Sequence, residues 1–231
     1  MTRVIIWSNV VVFVLESLLP EAQLQRVFLL FGVMPFRFTH PEVARAYGLP
    51  DGQYWTLLTS MFLHGGFFHL LTNMWTLWIF GDNVEDKMGP VRFLVFYILC
   101  GIGAMFLHTL TDPSSPVPTI GASGAIAGVL GAYFVLFPKS VVLTFIPIFF
   151  FLPVVPVPAV VFLLFWFFSQ FFNGALAMAS PSSGGGIAWM AHVGGFVAGM
   201  LLYQLFLSKK RLREERYSNG ARVYRAGRGS W

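Results

Sequence analysis

Five polar residues within apolar stretches have side chains that could together perform nucleophilic catalysis. Ser123 lies in "GASGAIAGVLGAY", His192 in "AHVGGFVAG", and His64, His69 and Asn73 in "HGGFFHLLTN". A serine hydroxyl becomes a nucleophile when a base accepts its proton, and the tetrahedral intermediate then needs donors for its oxyanion. We predict Ser123 as the nucleophile and His192 as the general base and later acid. Asn73, His69 and the Ser123 amide are the predicted oxyanion donors.

The spacing within "HGGFFHLLTN" distinguishes its three polar residues. His69 and Asn73 are four residues apart and share one face of a helix. His64 precedes His69 by five residues, about 140° around the helix, so it is a weaker candidate for the same site.

Acidic residues are nearly absent from the apolar stretches, which limits the chemistry. Glu16 is the only carboxylate within them, so we predict a Ser–His dyad with no acidic third member. Two intramembrane aspartates and an HExxH zinc motif are both missing. Zinc bound by His64, His69 and His192 would lack a supporting carboxylate or thiolate, and Cys100 has no histidine at a matching depth. We therefore expect no metal and no cofactor.

The composition is that of a membrane protein. The chain is 56% hydrophobic and 11% charged, with a mean hydropathy of +0.70. We predict an all-α polytopic fold with about six spans of about 20 residues. They lie near residues 3–20, 56–80, 91–110, 120–137, 156–173 and 187–207. Glu16 and Pro20 follow the first apolar run where a signal peptide would have small residues, so we expect a retained span.

Two further apolar runs are expected to lie in the interface rather than to cross. "LQRVFLLFGVMPFRF" is short and carries Arg26 and Arg37. The run that leads into the fifth span contains four prolines, which remove helix donors, so we expect a broken interfacial piece before that span. These prolines are Pro147, Pro153, Pro156 and Pro158.

The distribution of Lys and Arg predicts the orientation. The third and fifth loops contain neither residue, whereas the tail at 209–231 is strongly basic. With six spans in residues 1–208, both termini come out cytoplasmic, although the long first loop carries arginines. The tail then faces anionic lipid rather than nucleic acid. The second, fourth and sixth spans all run inward, so their N-terminal ends, with the five polar residues, meet near the outer surface.

Small residues recur at helical spacing in the fourth and sixth spans. Gly124, Gly128 and Gly131 lie in the fourth, and Gly195 and Gly199 in the sixth. Such spacing lets helix backbones approach closely. A serine and a histidine side chain are short, so we predict that glycine contact between these spans brings them within hydrogen-bonding distance.

These motifs resemble the rhomboid family of intramembrane serine proteases, from about Tyr54 to Gly199. The resemblance rests on "HGGFFHLLTN", "FGDNVEDKMG", "GASGAIAGVLGAY" and "AHVGGFVAG". It implies a six-transmembrane-helix bundle that hydrolyses peptide bonds in or beside transmembrane helices of substrates, without metal or ATP. The family pattern falls on His64, His69, Asn73, Ser123, Ala191, His192, Gly195 and Gly199.

The sequence departs from the family at two positions. Thr56 stands where many members have arginine, and Ala127 where several have an aromatic residue that stacks on the histidine. The second departure leaves the orientation of His192 open.

The resemblance also bears on substrates, location and alternatives. It implies entry from the bilayer beside the fifth span, with the loop "ASPSSGGG" as a flexible cover. A bacterial inner membrane is the default expectation. One alternative is a catalytically inactive relative that binds membrane helices. Another is a transporter, which should show charged residues at the midplane.

Overall fold

The computed structural model describes residues 1–46, 48–49, 53–145, 153–179, 188–209 and 211. The expected cover loop, apart from Ala179, and nearly all of the basic tail lie outside these residues. The described helices are α1 (Thr2–Ser17), α2 (Glu21–Phe31), α3 (Pro35–Thr39), α4 (Pro41–Ala46), α5 (Thr56–Thr59), α6 (Phe67–Met88), α7 (Pro90–Thr111), α8 (Ser123–Leu136), α9 (Ala159–Ala179) and α10 (Trp189–Phe206), with a 3-10 turn at Ser60–Phe62.

Three of the described helices are long and apolar enough to cross a membrane. They are α7, α9 and α10, with 22, 21 and 18 residues. The class of a helical protein with apolar membrane segments is therefore confirmed, whereas the count of six spans stays a prediction.

Helix α8 occupies the centre of the bundle. Every residue from Gly124 to Tyr133 is buried, and its neighbours are mainly α10, α7 and α6. Its 14 residues extend about 21 Å at the usual rise per residue. A hydrocarbon core is about 30 Å thick. If α8 lies along the membrane normal, at least one of its ends therefore lies below the membrane surface.

Glycine allows α8 and α10 to touch backbone to backbone, as the residue spacing predicts. A methyl group added at Gly195 would overlap the carbonyl oxygen of Gly124, and one at Gly199 would overlap the carbonyl oxygen of Gly128. Likewise, Gly131 faces the carbonyl oxygen of Phe196. Larger residues at these positions would force the two helices apart.

The second predicted span, residues 56–80, is wrong in its bounds. The structure has the short α5 and the 3-10 turn, then an extended segment, and α6 begins only at Phe67. His64 lies in this break, so the prediction that it shares a helix with His69 is also wrong. The "HGG" sequence explains the interruption, because two successive glycines disfavour helix and Gly66 has an extended backbone with φ 165°.

The first loop is built from helices too short to cross, as its sequence suggests. The longest, α2, has 11 residues. An antiparallel bridge joins Val33 to Thr119, with N–H···O distances of 3.0 and 2.7 Å in the two directions. Arg37 is 1% exposed and donates to the Gln53 side chain and to the Leu29 carbonyl. The loop is thereby fixed against the segment that precedes Ser123.

The segment before α9 departs from an all-α fold. Strands β1 (Val141–Phe145) and β2 (Val154–Pro158) form an antiparallel pair in which Val141 lies opposite Pro158. A two-stranded sheet has only edge strands, and these tolerate proline because part of each strand's N–H groups need no partner. The expected broken piece is thus a β-hairpin, with residues 146–152 outside the described chain.

The glycine contacts generate a stability prediction. We expect Gly199→Ala to lower the free energy of unfolding by about 1–3 kcal/mol, the usual cost of overpacking, although alanine has the better helix propensity. Gly174→Ala is the matched control, because its methyl group would come closest to the movable Met190 side chain at 2.8 Å and would meet the Trp189 Cβ atom only at 3.3 Å, with no backbone atom among these contacts. Unfolding titrations in detergent check this, and equal stability of the two variants would contradict the packing argument.

Candidate active site

Ser123 is the first residue of the buried helix α8. The first four N–H groups of a helix have no acceptor within that helix, and the Ser123 N–H is one of them. The preceding turn depends on Gly121, which has φ +121° and donates its N–H to the Ser60 carbonyl at 2.8 Å. The hydroxyl is therefore presented at the positive end of a helix dipole.

His192 lies in the first turn of α10, and its imidazole reaches Ser123. The distance from Nε2 to the Ser123 Oγ atom is 2.8 Å, which is a hydrogen bond. Both residues are partly buried. The hydroxyl and the imidazole predicted from separate segments are thus in direct contact, which is the geometry that proton transfer between them requires.

The other ring nitrogen of His192 has a partner that the sequence analysis did not consider. Gln170 of α9 places its Oε1 atom 2.7 Å from His192 Nδ1, and its side chain is buried. The available signal was an amide in the apolar run "FWFFSQFFNG", because polar side chains at bilayer depth are costly. A third member of the site was predicted only from carboxylates, so Gln170 was not among the predicted residues.

Two tryptophans also flank the His192 ring. The centroid of Trp166 lies 6.1 Å away at an interplanar angle of 35°, and that of Trp189 lies 6.3 Å away, nearly perpendicular. Ala127, where several family members have an aromatic residue, is fully buried. In this chain aromatic contact with the histidine therefore comes from α9 and α10 rather than from α8.

His69 and Asn73 lie on α6, four residues apart on one side of the helix, and the His69 ring lies beside the turn that precedes α8. A methyl group at Gly121 would come within 2.7 Å of two His69 ring atoms and 3.7 Å of the Ser123 hydroxyl, so this glycine separates the two side chains. Asn73 is 6% exposed, and within the described part of the chain its Nδ2 atom has no hydrogen-bond partner. A buried donor without an acceptor is available to a bound oxygen atom.

His64 is hydrogen-bonded to Glu16 and also contacts the His69 ring. The His64 backbone N–H donates to the Glu16 carboxylate at 3.3 and 3.4 Å. The His64 ring packs edge-on against His69, with centroids 5.0 Å apart, and neither ring nitrogen has a partner among the described residues. A direct contribution of His64 to the site stays a prediction. The Glu16 carboxylate accepts the His64 backbone N–H, and the Nδ1 atom of His192 is hydrogen-bonded to the Gln170 amide instead.

No described group of three or more His, Cys, Asp or Glu residues is arranged to hold a metal ion. The zinc set weighed from sequence would need His64, His69 and His192 around one point. Instead, each of the two nitrogens of His192 is hydrogen-bonded to a protein atom. The prediction that the protein uses no metal is left as a prediction.

Comparison with known proteins identifies the family. The Rhomboid domain model matches residues 51–209, which is most of the chain. The protein belongs to the rhomboid family. Together with its apolar helices, this makes it an integral membrane protein, and the resemblance read from the sequence motifs is confirmed.

Several rhomboid relatives are similar over parts of the chain. Rhomboid protein 1, mitochondrial, of Saccharomyces cerevisiae is 32% identical over 180 residues, covering 73% of this chain and 47% of that protein. Rhomboid protease GluP of Bacillus subtilis is 40% identical over 100 residues, covering 41% and 19%. RHOMBOID-like protein 5 of Arabidopsis thaliana is 39% identical over 82 residues, covering 36% and 26%. The chain therefore spans less than half the length of these relatives.

The position of Gly121 generates a prediction about this rhomboid site. We expect Gly121→Ala to slow the reaction of Ser123 with a fluorophosphonate, because the methyl group would displace His69 and the φ of +121° strains alanine by about 1–3 kcal/mol. Gly65→Ala is the control, since its methyl group would meet only an Ile120 carbon at 3.8 Å. Labelling of Gly121→Ala at the wild-type rate would refute this view of the turn.

Proposed function

We propose that this rhomboid is an intramembrane serine endopeptidase. It cleaves peptide bonds in or next to the transmembrane helices of membrane-protein substrates, using Ser123 and His192 as a catalytic dyad. The observation that carries the proposal is the 2.8 Å contact between the Ser123 hydroxyl and His192 Nε2 at the start of a buried helix. An imidazole placed against a serine in this way is the arrangement that activates the hydroxyl.

The reaction follows from these two side chains. Ser123 Oγ attacks the scissile carbonyl carbon as its proton passes to His192 Nε2. The C–N bond then breaks, and the leaving amine takes that proton, which leaves an ester on Ser123. A water molecule gives a proton to Nε2 and attacks the ester. The ester C–O bond breaks, and His192 returns the proton to Ser123.

Three donors are proposed to stabilise the negative oxygen in both steps. They are Asn73 Nδ2, the imidazole of His69 and the backbone N–H of Ser123. The unpartnered Asn73 Nδ2 atom supports this assignment, and so does the placement of His69 beside Gly121. The dipole of α8 acts in the same direction, since it places partial positive charge where the oxyanion forms.

The proposed membrane arrangement has six spans, formed by α1, α6, α7, α8, α9 and α10 within residues 1–208. Both termini are cytoplasmic and the dyad lies toward the outer face, with the basic tail at 209–231 against anionic lipid. The Lys and Arg asymmetry of the loops supports this orientation. The proposal needs neither a metal nor a nucleotide.

Substrates are proposed to enter from the bilayer between α6 and α9. Exposed aromatic side chains on both helices support this route, since nothing else in the described chain covers them. On α6 these include Phe68 and Trp75, and on α9 Phe165 and Phe172. Each pair is seven residues apart and so lies on one face of its helix. A substrate helix meeting these faces would come within reach of α8.

Removing either reacting group tests the proposal. We expect Ser123→Ala and His192→Ala each to reduce cleavage of a labelled single-span substrate by purified protein to background. The double variant should be no slower, because residues that act as a unit have non-additive effects. Cleavage by either single variant at the wild-type rate would exclude the dyad. An inactive wild-type protein that still binds the substrate would indicate a helix-binding relative.

The oxyanion assignment has a separate test. We expect Asn73→Ala to lower kcat by about 10²- to 10³-fold with little change in KM, because the donor acts on charge that develops in the transition state. Asn83→Ala is the matched control on the same helix, since the Asn83 amide donates only to the Ile79 carbonyl at 3.2 Å. Equal kcat values for the two variants would remove Asn73 from the site.

A further inference from the structure

The orientation of His192 is held by a line of hydrogen bonds that runs along α9. It begins at Ser169, whose hydroxyl donates to the Trp166 carbonyl at 2.6 Å. That hydroxyl uses its one proton there, so its lone pairs are left to accept. Gln170 Nε2 donates to the same Ser169 oxygen at 3.0 Å. The amide nitrogen of Gln170 is therefore hydrogen-bonded to a residue of α9, the helix that carries Gln170.

The direction of these bonds determines which atom of Gln170 meets the histidine. With its nitrogen on Ser169, the amide presents Oε1 to His192 Nδ1 at 2.7 Å. A carbonyl oxygen only accepts hydrogen bonds, so Nδ1 must carry a proton. A neutral imidazole carries a proton on only one of its two nitrogens. With that proton on Nδ1, Nε2 has a lone pair 2.8 Å from the Ser123 hydroxyl.

We propose that Gln170 is a positioning residue that holds His192 in the tautomer able to accept the proton of Ser123. The inference deepens the proposed protease function and rests on it. The amide substitutes for the acidic third member that the sequence lacks. As Nε2 gains the proton of Ser123, the carbonyl dipole of Gln170 stabilises the imidazolium through Nδ1–H.

An amide suits this position better than a carboxylate would. Gln170 is 7% exposed and lies in the middle of an apolar helix. A permanent negative charge at that depth is costly, whereas a neutral amide with both of its polar atoms bonded is not. Trp166 and Trp189 limit rotation of the ring, but they do not select a tautomer, and that selection falls to Gln170.

Three variants of α9 test the inference by kinetics. Gln170→Met keeps the approximate shape and removes the acceptor. We expect it to lower kcat by about 10- to 100-fold, by analogy with the outer partners that orient metal-binding histidines. KM should stay near its wild-type value, because the Gln170 side chain is buried and is hydrogen-bonded to Ser169 and His192. Gln170→Glu keeps an oxygen acceptor at the same reach, so its kcat should exceed that of Gln170→Met, although the buried charge lowers the stability of the protein. Asn173→Leu is the control, since its exposed amide donates to the Ser169 carbonyl at 2.6 Å and, among the described residues, makes no hydrogen bond to His192.

A spectroscopic measurement on the wild-type protein does not depend on how any variant folds. With ¹⁵N-labelled histidine, the neutral ring of His192 should show the proton on Nδ1, assigned by loss of its signals in His192→Ala. A proton on Nε2 in an active wild-type protein, or unchanged kcat in Gln170→Met, would overturn the inference alone. Absence of any cleavage by the wild-type protein would instead count against the proposed function.

Discussion

Backbone contact between α8 and α10 is the constraint on which the rest of the site depends. Gly195 and Gly199 lie against the carbonyl oxygens of Gly124 and Gly128, and no side chain fits between them. Serine and histidine have short side chains, so only helices this close can join Ser123 to His192 at 2.8 Å. The hydrophobic effect does not drive helix association in lipid, so close packing of small residues supplies both the affinity and the geometry.

The polar groups around this contact are supplied by several elements, and the side chains of Ser123, His192 and Gln170 are hydrogen-bonded to one another or to their neighbours. The turn before Ser123 is fixed by the Gly121–Ser60 bond and, further back, by the bridge between Val33 and Thr119. The Oε1 atom of Gln170 is hydrogen-bonded to the Nδ1 atom of His192. The Asn73 amide nitrogen is a buried donor left without a partner in the described chain. The contact between Ser123 and His192 is thus prearranged, and an unpartnered buried donor lies on the helix that carries His69.

Much of the candidate site could be predicted from the sequence, because a membrane makes polar residues conspicuous. Ser123 and His192 stood out as polar groups among glycines, and the glycine spacing predicted their approach. Other features depend on context that no local pattern contains. To predict the break at His64, one must recognise that "HGG" interrupts a helix within an apolar run. The role of Gln170 depends on which helix packs beside α10, and the hairpin before α9 depends on pairing between two separate segments, of which only the second contains proline.

The central claim is that one hydroxyl and one imidazole, carried by two helices in backbone contact, form a reactive pair. A crystal structure of the protein after reaction with a fluorophosphonate measures this most directly. The account predicts phosphorus bonded to Ser123 Oγ, a phosphonyl oxygen at Asn73 Nδ2, and the His192 ring beside the adduct. An unmodified Ser123, or α8 and α10 separated so that His192 lies out of hydrogen-bonding reach, would contradict it.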